Sequence, residues 1–399
     1  MSVPRLEVPK ALGQRLGPSL PMSPAPHPAM SAGTAAGIAA AIALGGTAVR
    51  IGMLAWLAAA QDSTGAAAHA GTGVAGDTAA GPAAQPGVGQ LLDSWDAQHY
   101  LGIAKHGYAT EESFAFFPAY PALLRLVGGT VAAGCVLSVV CTAVMAAGVM
   151  ALARRMGAGL WGQVAAAIVV TSAPMSIVFA MPYTEALFGA LAVWALVLLV
   201  DRKWIAAGVV VCALGGVRLT AVCMIAAFAA LVLLRGRGQP RAWVGLALTP
   251  WVLVGYLAWA SAHLEHGYFG LQREHWNSAF DFGAATWHWL ATTLTTGTNV
   301  GYLLSTAAMV AVPLALVLAW RRVDLGVWLF SAALAANVLL SDGLMHSRPR
   351  LLLPAALLGI PWALRAAARP VPGAVLVGAW VLFGAWFSAY MLVVFEWAI

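Results

Sequence analysis

A chain of 399 residues that is 61% hydrophobic and only 9% charged, with a mean hydropathy of +0.83, cannot hide its apolar surface in a soluble core. Ordinary globular chains are about 25% charged, whereas hydrocarbon is the solvent such segments prefer. The formal net charge of +6 does not signal nucleic acid, because the arginines and lysines stand in pairs between apolar spans and so report topology.

Taken in chain order, residues 1–30 are polar and proline-rich, which predicts a disordered cytoplasmic tail. They have the wrong order for a cleaved signal peptide, so the first apolar stretch is expected to remain as an anchor. Segments of about 20 residues, the length a crossing helix needs, are expected near 36–60, 123–150, 160–181, 184–200, 242–262, 298–319, 325–341, 350–368 and 373–395. The run 204–234 carries Gly215, Gly216 and Arg218 near its middle. Folded as two short segments turning there, it returns Arg235, Arg237 and Arg241 to the side of Arg154, Arg155, Arg202 and Lys203, as the positive-inside bias requires. The expectation is therefore an all-α polytopic membrane protein of about 10–11 segments. Its large first extracytoplasmic loop covers 61–122, and a second outer loop covers 263–297. Cys135, Cys141, Cys212 and Cys223 all lie inside apolar runs with no metal or redox spacing.

With that topology, Asp93, Asp96, Glu111, Glu112, Glu185, Glu265, Glu274, Asp281 and Asp342 all gather on the outer face, where chemistry is to be sought. After a Gly/Ala-rich connector over 61–90, residues 91–121 turn polar and aromatic. A helix starting near Ser94, capped by Ser94 or Asp93, places Asp96, His99 and Tyr100 on one face. The alternative is an interfacial amphipathic helix with Trp95, Tyr100 and Tyr108 as aromatic anchors. Glu185 follows Pro182, Tyr183 and Thr184 and either caps the next helix or binds a ligand. Arg218, flanked by apolar residues, needs an anionic partner such as Asp96, Glu185 or a ligand phosphate. Arg50 sits late in the first span and is expected to snorkel rather than join a site. His346, Arg348 and Arg350 stand outside against the positive-inside bias, which asks for acidic lipid or a phosphorylated ligand. The scattered histidines have no metal-ligand spacing, and no nucleotide-binding glycine loop occurs in these residues.

The run WDAQHYLGIAKHGY followed by AFFPAYP resembles the first outer loop of the GPI mannosyltransferase II family (phosphatidylinositol-glycan class V) and its bacterial relatives. PMSIVFAMPYTEALFG, the arginine of GGVRLTA, the region of Gln272 and Trp276, and HSRPRLLLPA continue the resemblance, in order, across roughly 90–355. What it implies is a single transmembrane catalytic domain over 31–399 of the GT-C glycosyltransferase class, working at the extracytoplasmic face of the cell membrane. Such enzymes take a sugar, here mannose, from a polyprenyl-phosphate donor, with no cofactor. The acceptor is a lipid, glycan or protein, and membrane lipids are the surroundings. The family's loop aspartate maps to Asp96, the expected general base of an inverting transfer. Arg218, Arg348 and Arg350 are assigned to the donor phosphate, and Trp95, His99, Tyr100, Tyr183, Glu185, Gln272, Trp276 and His346 to sugar or acceptor. No metal ligands are assigned. Ser94 stands where family members often have arginine or another polar residue before Trp-Asp, a harmless departure; Leu219-Thr220 replaces the Asn-Gly that often follows the arginine of eukaryotic members, so GPI assembly is not implied. The Ala/Gly content is that of bacterial, notably actinobacterial, members. The alternative from another class is a transporter or flippase of a lipid-linked sugar, which predicts internal repeats and polar residues at mid-membrane.

Overall fold

The computed structural model describes residues 30–71 and 87–397; the tail over 1–29, residues 72–86 of the connector and the last two residues lie outside the described residues. The described chain is helical throughout, and its one β-bridge joins Phe280 to Ser341. In chain order the helices are α1 (Ala32–Gly71), α2 (Val88–Leu92), α3 (Asp96–His106), α4 (Ala119–Leu126), α5 (Val131–Arg155), α6 (Leu160–Thr171), α7 (Glu185–Val200), α8 (Trp204–Leu214) and α9 (Ala221–Leu231). They continue with α10 (Pro240–Leu248), α11 (Trp251–Ala262), α12 (Gly267–Trp276), α13 (Ala284–Thr296), α14 (Val300–Ala319), α15 (Leu325–Leu339), α16 (Arg348–Leu351), α17 (Ile360–Ala367) and α18 (Pro370–Val393).

Among the described residues, five stretches are long and apolar enough to cross a membrane: Ala32–Gln61, Val131–Arg155, Pro240–Ala262, Val300–Ala319 and Pro370–Val393. A sixth results if Met345–Leu351 and Leu353–Ala367, which meet at 55°, form one broken span. This is fewer than the 10–11 segments expected from hydropathy. The other apolar runs fold as shorter helices, among them Leu160–Thr171, Glu185–Val200, Trp204–Leu214, Ala221–Gly236 and Leu325–Leu339. At 1.5 Å per residue, α6 rises only about 18 Å against a hydrocarbon core of about 30 Å. The cause is local. Pro174 follows the end of α6, and the chain then passes through Met175 at φ 69° and a 3-10 turn, Ser176–Phe179, before Pro182. The run 160–181 read as one span is therefore a helix joined to a buried irregular segment. The run 204–234 breaks at Gly215–Thr220 as the charge pattern predicts.

The main core is an apolar cluster drawn from α5, α6, the 175–181 segment, α7, α8 and α9, and from α15, the 352–358 segment, α17 and α18. Helix α1 packs on α5 and α18, α5 on α7, α7 on α8, and α9 on α15. Two small clusters sit beside it: Phe114, Phe117, Tyr256 and Tyr268 in one, and Tyr100, Phe116, Tyr120 and Leu124 in the other. Gly134 of α5 is where Pro182 lands, since a Cβ there would lie 2.7 Å from the proline Cβ. At the opposite ends of α5 and α7, Arg155 grips Asp201 with two bonds of 2.6 and 2.5 Å, and Arg235 pairs with Asp324 at 3.2 Å. These pairs give the basic turns a packing role that their orienting charge alone did not suggest.

Candidate active site

Four charged side chains from distant parts of the chain converge where helices begin or break inside the bundle. Asp96 is the first residue of α3, Glu185 the first of α7, Arg218 lies in the break between α8 and α9, and Arg350 lies in the single turn of α16. Arg350 Nη1 donates to Asp96 Oδ2 at 2.7 Å, and its Nε lies 3.4 Å from Glu185 Oε1. Arg218 Nη1 reaches the same Glu185 oxygen at 2.6 Å. The second Glu185 oxygen is buried and has no hydrogen-bond partner among the described residues. Exposure divides the quartet: Asp96 and Arg218 are 27% and 16% exposed, Arg350 and Glu185 only 9% and 3%. A solute therefore reaches Asp96 and Arg218 first, above a buried pair. Of the partners foreseen for Arg218, the one it holds is Glu185.

Helix α3 does not start as the sequence suggests. Ser94 donates its hydroxyl to the Gln90 carbonyl at 3.0 Å and so serves the end of α2. No side chain caps α3, and Trp95 occupies the position before Asp96 at φ 54°, ψ −119°. The expected face does form. Tyr100 packs edge-on against Phe116 and Tyr120, and His99 stacks on Phe116 at 4.6 Å. Tyr100 Oη lies 3.3 Å from Thr184 Oγ1, and burial together with the nearby Asp96 carboxylate pushes its phenol well above the usual range. The motif FFPAYP supplies this platform, and its Ala119 N–H donates to the Gly216 carbonyl at 2.9 Å, tying the loop to the turn that carries Arg218. Tyr120 in turn meets Ser138 at 3.0 Å, whose hydroxyl donates to the Met181 carbonyl.

The remaining candidates separate. Tyr183 is fully buried, with its ring 5.3 Å from the Arg350 guanidinium and its hydroxyl donating to the Ser94 carbonyl at 3.2 Å. Trp276 reaches the platform through Phe116 at 6.2 Å, whereas Gln272 donates to the Tyr268 hydroxyl in the neighbouring cluster. Arg348 faces away from its neighbour Arg350: it donates to the Thr286 hydroxyl and the Ser341 carbonyl, with Asp342 and Asp281 nearby. The His346 ring packs beside Tyr302 and Phe395. Arg50 neither snorkels nor joins the quartet; it is buried and donates to the last carbonyl of α6, Thr171, at 2.8 Å. Sequence reasoning did not single out Ser94, Phe116, Tyr120, Thr184 or Thr286 as site residues, because each works through a contact made only on folding. Among the described residues no group of three or more metal-ligating side chains comes together.

An apolar cavity of about 420 Å³ lies between α14, α18 and the broken α16–α17 segment; none of the quartet side chains lines it, and its nearest link to them in the chain is Pro349, which precedes Arg350. One wall is the small face of α14 (Ala308, Ala311 and Ala315), and another is Pro349, Leu352 and Ala356 around the broken α16–α17 segment.

The fold and site define an all-α, polytopic protein of membrane-spanning type with a paired-ion centre. Residues 59–157, which include both the Trp95–Tyr100 and Phe116–Pro121 motifs, match the family model described as mannosyltransferase (PIG-V). Among curated proteins, the chain is similar to GPI alpha-1,6-mannosyltransferase 2 of Homo sapiens, 60% identical over 37 residues, 9% of this chain and 7% of that protein. The proteins of the same name from Rattus norvegicus and Mus musculus are each 56% identical over 39 residues, 10% of this chain and 8% of theirs. The similarity thus spans less than a tenth of those relatives' length and concerns a mannosyltransferase segment. No solved structure matches the chain.

Proposed function

We propose that the protein is an inverting glycosyltransferase of the GT-C class that moves mannose from a polyprenyl-phosphate donor to an acceptor hydroxyl at the extracytoplasmic face. The observation that carries this reading is the quartet itself, built around the aspartate of the segment that matches a mannosyltransferase family. In the reaction, the acceptor oxygen forms a bond to the sugar's anomeric carbon, the bond from that carbon to the phosphate oxygen breaks, and the acceptor proton passes to a carboxylate. Asp96 is the accessible carboxylate. Arg350 engages its Oδ2, and among the described residues no group bonds its Oδ1, which is left to take the proton. Arg218 is the accessible cation and faces the departing phosphate, whose charge rises as the bond breaks. Arg350 is better placed beneath, spanning Asp96 and Glu185, than in direct contact with donor.

The apolar cavity beside the α16–α17 break, which lies within the size range of small-molecule sites, suits part of the donor's prenyl chain. His99 and Trp276, on the aromatic platform, remain candidates for the sugar or acceptor face. The packing found for Arg348, His346 and Gln272 favours structural duties for all three. The Ala/Gly-rich composition suits a bacterial member, and Leu219-Thr220 in place of the Asn-Gly of eukaryotic members favours an acceptor other than the GPI anchor.

Purified protein in lipid, given radiolabelled polyprenyl-phosphate-mannose and a membrane extract, tests the proposal. Label is expected in a new product with wild type, and Asp96→Asn is expected to retain donor binding while losing at least about a hundredfold in turnover. Full turnover by Asp96→Asn would remove the base role. Donor translocated but never consumed would move the flippase reading to the front.

A further inference from the structure

The quartet depends on where α3 begins, and α3 begins with a backbone conformation that its residues do not favour. Ser94, Trp95, Asp96 and Ala97 form a tight turn, closed by the Ala97 N–H to the Ser94 carbonyl at 3.3 Å. Trp95 stands at its second position with φ 54° and ψ −119°. These are the angles of a type II′ turn, whose second position is dominated by glycine because a Cβ is crowded there. A bulky residue persists in such a conformation only when the surroundings over-determine it. Two groups do so here. The half-buried Trp95 side chain packs against the main core. The Ser94 carbonyl, one half of the peptide that sets the Trp95 φ, accepts the Tyr183 hydroxyl at 3.2 Å.

We propose that Tyr183 is a positioning residue: its hydroxyl locks the Ser94–Trp95 peptide in this strained turn, and the turn sets Asp96 within reach of Arg350. Tyr183 is suited to the task. It is fully buried, so it does not touch sugar or acceptor as the sequence led one to expect. Burial, with Asp96 and Glu185 nearby, drives its phenol well above the usual range, so the hydroxyl remains a donor throughout the working pH range. Its ring lies 5.3 Å from the Arg350 guanidinium, so one side chain touches the carrier of each member of the Asp96–Arg350 pair. Removing only the hydroxyl, by Tyr183→Phe, keeps the ring and its packing. The turn is then free to relax, and Asp96 moves off line.

The role of Asp96 in transfer rests on the glycosyltransferase reading, but the state of the turn does not, and the experiment reads them separately. Wild type, Tyr183→Phe, Trp95→Gly and the double variant are compared as full-length protein in bicelles. Amide hydrogen exchange of peptides covering residues 91–100 is measured first. Tyr183→Phe is expected to speed exchange in this segment, and the double variant to return toward the Trp95→Gly level, because glycine holds the turn without help. Turnover of polyprenyl-phosphate-mannose is measured next. Tyr183→Phe is expected to lower kcat about tenfold or more with donor KM within about twofold. Added to Trp95→Gly, the same substitution is expected to cost less than about threefold.

Unchanged exchange in Tyr183→Phe overturns the proposal, and that comparison stands even where Trp95→Gly fails to fold. An equal fold-loss of kcat from Tyr183→Phe in both backgrounds also overturns it, since a direct contact or a general packing role is indifferent to the residue before Asp96. If exchange responds as expected while wild type transfers no sugar, the turn lock holds and the transferase reading fails.

Discussion

Replacing Arg350 by methionine tests whether the quartet is a linked unit or four charges that happen to be near one another. The substitution keeps an unbranched apolar stem and removes two charge contacts, at 2.7 Å to Asp96 and 3.4 Å to Glu185, together with the cation over Tyr183. Breaking a buried ion pair from one side typically costs about 3–5 kcal/mol, because it strands a charge. The structure places this case at the low end of that range. Glu185 is 3% exposed but keeps Arg218 at 2.6 Å, and Asp96 is 27% exposed and rehydrates when released. The expected loss is about 3 kcal/mol, of which about 1 kcal/mol is the cation–π contact. Thermal unfolding in detergent, followed by intrinsic fluorescence, should show the midpoint falling by roughly 1–2 °C per kcal/mol for a chain of this size, extending the known size trend. The decisive measurement is the cycle with Asp96→Asn. Contacting charges couple, so the double variant should lose less than the sum of the singles, by about 1–2 kcal/mol. Additive losses, or an Arg350→Met protein with a wild-type midpoint, would refute the pairing and with it the division into an accessible and a buried half.

Further outcomes follow from the same geometry. Arg348→Ala breaks contacts to Thr286 and Ser341; it should destabilise by about 1.5–3 kcal/mol yet leave donor KM within about threefold, separating it from Arg218→Ala, which should raise KM at least about tenfold. Ala311→Phe, placed on the cavity wall, should raise KM about tenfold, or about 1.4 kcal/mol, for a long-chain prenyl donor and little for a short-chain analogue. The hydrogen bonds from Arg155 hold the Asp201 carboxyl below its ordinary value. Their contribution is therefore full above the unfolded value near about 3.9, and it fades as pH falls through the lower folded value. Asp201→Asn should cost under about 1 kcal/mol at neutral pH, since the pair is partly exposed, and should flatten the stability curve below the unfolded carboxyl value of about 3.9.

Much of this arrangement is legible in the residues, for reasons that can be stated. Arg218 betrays its turn because two glycines precede it and because one continuous span there would invert every basic cluster downstream. Asp96, His99 and Tyr100 share a face because helical spacing requires it, and FFPAYP lies close enough in sequence to supply the ring platform. Other features carry no such mark. Arg348 and Arg350 read alike, two residues apart in one motif, yet a single turn of helix sends one toward Thr286 and the other toward Asp96. Hydropathy measures composition, so it counts 160–181 as one span and cannot see the helix stop at Thr171. Ser94 has the chemistry of a cap, but which helix it serves depends on α2, five residues long and without periodicity of its own. The left-handed Trp95 is hidden for the opposite reason: local preference argues against it, and only tertiary contact imposes it.

The charge balance of the quartet also bears on how the proposed transfer would run. Two carboxylates and two guanidiniums sum to zero, and they form a chain from Asp96 through Arg350 and Glu185 to Arg218. A polyprenyl-phosphate sugar carries one negative charge on its phosphate, and the released prenyl phosphate carries up to two. In the same step Asp96 gains a proton and loses its charge. The total does not change; one negative charge moves from the Asp96 end of the chain to the Arg218 end. Arg350 then loses a partner as Arg218 gains one, and Glu185, holding both arginines through a single oxygen, is the group between them. Preorganised charges of this kind need no rearrangement as the reaction proceeds, the property that makes such sites effective in stabilising transition states. Glu185→Gln keeps the shape and removes the shared charge. It should therefore lower kcat by at least about tenfold, more than it raises donor KM. A rise in KM alone, with kcat unchanged, would make Glu185 part of ground-state donor binding and would break the chain at its centre.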